Sequence, residues 1–295
     1  MACHLRSRER VNGSHRPCAS LTAMTAALID WPSLAADGFP YPAHSPASRL
    51  VDEPAVALVS RDPEVRDDGA YSAAAHWIGE GRLDAVLGEM GDSAAGRFSH
   101  REVQARTFAP LILCAVLTRA AAVPGLVSQE AAERWYAAFS AWYPEERDTR
   151  GWDDSLGWFH AVAHGADAVA AFVQVLPHRR SDLLELCARR VTVTQVEDWY
   201  VQLEDARLAR ALVRVLQGPG LTSREATGWL DVVAEALDGG GPGPVPVWAF
   251  NTFGTLQSLH LHLTRGIADE GLPPHAEAVA TRVTELLRLP YYWLA

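Results

Sequence analysis

The sequence contains no lysine: apart from histidine, all 26 of its basic residues are arginine. No local arrangement demands arginine over lysine, so the bias reads as the codon habit of a GC-rich genome. With 36 acidic residues the formal net charge is −10, and no basic stripe is available for a nucleic acid or an anionic bilayer. Neither is an expected partner. Cysteine is scarce. Cys3, Cys18, Cys114 and Cys187 show no C-x-x-C spacing, which leaves zinc-ribbon and thioredoxin-type sites without support. So few cysteines in 295 residues also argue against a disulfide framework, and a reducing, cytoplasmic location is the expectation. Long apolar runs are missing too. The longest candidate, 108–123, is interrupted by Pro110 and Arg119, so no membrane-spanning helix is expected. The catalytic G-x-S-x-G elbow, the dinucleotide-binding glycine pattern and the Walker loop are all absent.

What remains is dominated by helical signals. Strand-like alternation is confined to 191–194, too short to found a sheet. Asp62-Pro63 reads as an N-cap and first-turn proline opening a helix to about Ile78, closed by Gly79 and Gly81. Further helices are expected over 82–90, 99–117, 128–142, 155–176, 181–190, 194–217, 223–237, 247–267 and 273–287. Residues 1–23 read as a disordered tail with Met24 as a candidate alternative start, 24–48 as a turn and proline-rich segment, and 49–295 as one α-helical domain. Within that domain 239–246, GGGPGPVP, reads as a flexible loop. Two helices per roughly 35–45 residues is the period of HEAT and armadillo repeats. The expected fold is therefore all-α, with stacked antiparallel helical hairpins forming either such a solenoid or an irregular bundle.

One constellation could carry chemistry. On a helix through 155–176, His160, His164 and Asp167 fall within a sector of about 60°. Two imidazoles and a carboxylate so placed are candidate ligands for a divalent metal such as zinc, manganese or iron, leaving positions open for water. Such a site would permit hydrolysis, with Asp148 or Asp153 as base and Arg150 beside them. The apolar stripe Trp158, Val162, Gly165, Val169, Phe172 and Leu176 points away from the histidines, so their face is expected to meet solvent or line a groove. The plain structural reading stands beside this one: two histidines four apart are common on helices, and HxxxH without the HExxH glutamate is a weak metal signal.

The same residues resemble a bacterial family known as domain of unknown function 2785. Its motif, an acidic E-x-D-x-R-G loop followed by G-W-x-H-x-x-A-H-x-A-D, corresponds here to Glu146, Asp148, Arg150, Gly151, Gly157, Trp158, His160, Ala163, His164, Ala166 and Asp167. The strings Asp62-Pro63, Arg66-Asp67 and Arg106-Thr107-Phe108 also resemble the family, and the likeness spans roughly 50–265. It implies an all-α fold, supplies no reaction, and directs attention to Arg150, His160, His164 and Asp167 as a group. Two functions are expected to compete. One is a binding or scaffold module taking a protein, a peptide or a small molecule at a polar groove around His160, His164 and Asp167. The other is a metal-dependent hydrolase using those three as ligands.

Overall fold

The computed structural model describes residues 29–239, 243–267 and 270–294. The expected 1–23 tail lies outside the described residues, as do 240–242 of the glycine-proline loop. Among the described residues the chain is all-α, with twelve α-helices and a single two-stranded hairpin.

The first helices are α1 (Trp31–Ala36), α2 (Ala47–Ala57), α3 (Ser72–Gly79) and α4 (Leu87–Gly96). Then come α5 (Val103–Ala122), α6 (Gln129–Trp142), α7 (Ala161–Val175) and α8 (Arg180–Val191). The last are α9 (Glu204–Leu216), α10 (Ser223–Asp238), α11 (Val247–Arg265) and α12 (Ala276–Leu287). Along one row α5 packs on α7, α7 on α9, and α9 on α11; along another, α8 packs on α10 and α10 on α12. The core includes buried side chains such as Phe108, Leu113, Val169, Phe172, Leu184 and Leu212. By length and apolar composition alone α5 could cross a membrane, contrary to the expectation that no segment qualifies. Its position accounts for that composition, since it lies inside the fold against α3, α4 and α7.

Several expected helices begin elsewhere: α4 starts at Leu87 instead of Arg82 and α5 at Val103 instead of Ser99. The stretch after Asp62-Pro63 is π-helical over Glu64–Tyr71 before it becomes α3. Residues 192–203 are irregular, and α9 starts ten residues later than its expected start at Thr194. The amide of Asn251, on α11, holds this segment by accepting from Tyr200 N–H and donating to Asp198 C=O. Helix α7 begins at Ala161 instead of Ser155. The preceding residues form the hairpin of β1 (Trp152–Asp153) and β2 (Gly157–Trp158). Asp153 Oδ1 accepts from Ser155 and Leu156 N–H, a local alternative to helical hydrogen bonding, and Gly157 turns the chain at φ +75°.

Candidate functional site

The segment 143–160 is irregular chain held by buried charge. At its start, Arg190 of α8 is fully buried and donates through Nη1 to the carbonyls of Tyr143 and Glu146. Glu146 is itself buried and receives Arg106 of α5 at 2.6 and 3.1 Å, Trp142 Nε1 at 3.0 Å, and the N–H groups of Arg147 and Asp148. Burial works to raise its pKa, and the Arg106 bond with the backbone donors outweighs that and lowers it.

At its far end the hairpin is clamped by the π-helical segment. Arg66, 0% exposed, donates to the carbonyls of Ser60 at 3.0 Å and Leu156 at 2.6 Å, and pairs with Asp67 at 2.6 Å. Its guanidinium lies 5.0 Å over the Phe108 ring. Asp67 accepts from Trp158 N–H and Arg66, yet burial prevails and raises its pKa. Arg66-Asp67, Thr107-Phe108 and the Gly157–Asp167 stretch, which the sequence offers as separate strings, therefore meet in one place.

His160, His164 and Asp167 do not converge on one point. His160 ends the hairpin in the left-handed region, φ 49°, outside helix α7. Its ring lies 4.5 Å from that of Trp158, tilted by 33°, and its Nε2 faces Glu204 Oε1 of α9 at 3.2 Å. That distance suits an ion pair with a protonated ring, whereas the angle suits no hydrogen bond, so both buried atoms lack a hydrogen-bond partner. A carboxyl and an imidazole are thus held face to face inside the fold. Glu204, also 0% exposed, accepts from Gln202 N–H through its other oxygen.

His164 sits one turn into α7, packed edge-on against Phe108, with Nδ1 2.8 Å from Thr107 C=O. The carbonyl requires Nδ1–H, and burial depresses the ring pKa to about 3, so the imidazole is neutral at physiological pH. This face of the helix is thus packed against α5, and the expectation of a histidine face apart from the core is corrected. Asp167 is turned to Arg207 of α9, which donates through Nε at 3.1 Å and also through Nη2. Among the described residues no group of three histidine, cysteine or acidic side chains stands close enough to hold a metal ion. His160 with Glu204 offers two donors only.

The structure does bring Arg150, Asp148 and Asp153 together. Arg150 donates to both Asp148 oxygens at 2.9 and 2.7 Å and to Asp153 at 2.9 Å, while its plane covers the Phe159 ring at 4.2 Å. Ser155, through hydroxyl and N–H, holds the Asp153 carboxyl below its usual range. Both acids are therefore counterions of Arg150, and Asp153 also forms the turn. Above this cluster Trp152 and Trp158 stand edge to face at 4.8 Å, 44% and 38% exposed. The neighbouring 192–203 segment, joined to Thr149 through Asp198, carries the exposed Trp199, which pairs with the exposed Phe250 of α11.

Sequence reasoning missed Glu204, Arg207 and Arg190 as members of this site. Glu204 and Asp205 look like ordinary first-turn acids complementing a helix dipole, and only the fold reveals that Glu204 is buried. Arg66 and Arg106 had a signal, their presence in the two flanking motifs.

Comparison with known proteins adds a family and no reaction. Neither a curated protein nor a solved structure matches the chain. A family model matches residues 96–261, a span that holds Arg106, the 146–167 motif, Glu204 and Arg207 but stops short of Arg66. With more than half of its length matched, the chain belongs to the family described as protein of unknown function (DUF2785).

Proposed function

We propose that this protein is a non-enzymatic binding module whose stacked helical pairs, in the manner of a HEAT-like solenoid, present the 146–160 segment to a partner protein or peptide. The side-by-side order of α5, α7, α9 and α11 supports the repeat reading. The observation that carries the binding reading is the exposed Trp152–Trp158 pair on a hairpin anchored by a buried arginine. Large aromatics held rigid at a surface contribute contact area at low entropic cost, which is how interface anchors work. Of the five acids within 145–160, Glu146 is buried against Arg106, while Glu145, Asp148, Asp153 and Asp154 meet only Arg147 and Arg150, so the fitting partner is a segment with positive charge and apolar side chains. Its expected location is the cytoplasm, on the strength of the sparse cysteine.

The alternative, a metal-dependent hydrolase, has no comparable support, because His160, His164 and Asp167 are each engaged by a different neighbour. Site-specific photo-cross-linking in the native cell tests the choice. A cross-linker at position 152 is expected to trap a discrete protein that one at Val56, also exposed, does not trap. Trapping should weaken in Trp158→Ala. Stoichiometric zinc, manganese or iron in untagged protein, lost in His164→Ala, would instead favour the hydrolase.

A further inference from the structure

A second polar site lies on the other side of α7, where α5, α7, α8 and α9 leave a cleft of about 460 Å³. Three arginines line it, Arg180, Arg210 and Arg214, against one carboxylate, Asp167. The charges do not cancel. Asp167 is already paired with Arg207, and Arg214 with Glu270. Arg180 donates Nη1 to the Val215 carbonyl at 2.6 Å and has no acid partner among the described residues. Burial consequently depresses its pKa with no opposing charge to raise it. Arg210 makes no ion pair or hydrogen bond among the described residues. The cleft also offers a wall of Ala170, Ala171 and Val173 beside the guanidinium groups.

Two cations without an acid partner among the described residues, the half-buried Arg180 and the exposed Arg210, therefore meet in one concave site of a chain whose net charge is −10. Arginine's planar array of donors matches carboxylate and phosphate oxygens two at a time. The cleft is within the size range of small-molecule pockets, roughly 300–1,000 Å³. Gly218 lets Arg180 lie along the backbone there: a Cβ at that position would fall 1.8 Å from the guanidinium carbon. The arginine is held in place by the fold before any ligand arrives. Cys114, also in the lining, is not a nucleophile at neutral pH, because burial first and Asp167 second push its pKa up to about 11.

We infer that this cleft is a binding site for a small organic anion, a phosphate or carboxylate head held between Arg180 and Arg210 with its apolar part against the alanine and valine wall. The site is independent of the tryptophan surface and stands or falls separately from it.

Titration calorimetry and thermal melts with inorganic phosphate, phenyl phosphate and succinate, each at ionic strength matched with sodium chloride, test it. Saturable binding and a rise in Tm with at least one probe are expected, phenyl phosphate binding more tightly than inorganic phosphate because of the apolar wall. Arg210→Glu should weaken that binding at least tenfold. Arg210 has no partner to lose, so the variant's Tm without ligand should match the parent's. Binding to Arg210→Glu at parental strength, or no saturable binding by any probe beyond the chloride control, would overturn the proposal.

Discussion

Helices α6 and α10 begin differently from α7 and α9, and the difference separates scaffold from site. Ser128 and Thr222 cap α6 and α10 with side-chain oxygens that accept from Ala131 and Glu225 N–H, and Glu225 completes a capping box on Thr222. These starts are local: four consecutive residues contain the whole instruction. Helices α7 and α9 instead begin after His160 and Leu203, both in the left-handed region and neither providing a side-chain cap. Non-glycine residues there cost on the order of 1–2 kcal/mol, so contacts from elsewhere in the chain must hold them. For His160 they come from Arg66, which takes the carbonyl of Leu156 in the hairpin, and from Glu204; Leu203 is 70% exposed, and beside it Glu204 accepts from Gln202 N–H. Helix α7, which carries His164 and Asp167, is the one whose start is imposed from a distance.

Breaking the long-range start should cost most. Arg66→Ala removes a buried fork, takes the guanidinium from Asp67 and leaves the Ser60 and Leu156 carbonyls without it, an expected loss of about 3–5 kcal/mol in urea unfolding. Next comes a close approach: a Cβ on Gly165 would meet the Tyr143 ring at 2.0 Å, and Gly165→Ala should cost about 1–3 kcal/mol by the same measurement. The third contrast is in pH. His164 is held neutral when folded, with a pKa near 3, whereas the unfolded ring titrates near 6.5. Between about pH 6 and 4 the unfolded chain binds one more proton, so stability should fall with falling pH by about 1.4 kcal/mol per unit from this residue. His164→Asn, which can still donate to Thr107, should flatten that slope in unfolding measured across the range. Removing the local cap, Thr222→Ala, should cost only about 1 kcal/mol. Smallest of all, Trp152→Ala should change stability by less than about 0.5 kcal/mol while removing the proposed contact surface. A Thr222→Ala loss as large as that of Arg66→Ala would dissolve the distinction between the two kinds of helix start.

The same contrast explains what could be read from residues alone. The all-α class, the starts of α6 and α10, and the proline-rich break before α2 were legible because capping residues, helical spacing and proline act over a few positions. The site was legible as a list of residue types and illegible as geometry. Periodicity extended α7 back to Ser155, because nothing local in DDSLGWFH announces that Arg66 will take the carbonyls of the turn. It placed His164 away from the core for a related reason: alanine and glycine on this helix let α5 approach a face that hydropathy marks as polar. Asp167 looked like a third ligand because its partner, Arg207, lies on a helix forty positions later.

The clamp on the hairpin also has a consequence for synthesis. Arg66 and Leu156 are separated by 90 positions, so the guanidinium leaves the ribosome well before its carbonyl partner exists. During that interval it has only Asp67 and the nearby Ser60 carbonyl for company. A fragment trimmed to the family-matched 96–261 would never receive it at all. The tryptophan-bearing turn is thus a late event in the life of each molecule, complete only after both halves of the polypeptide have been delivered and docked.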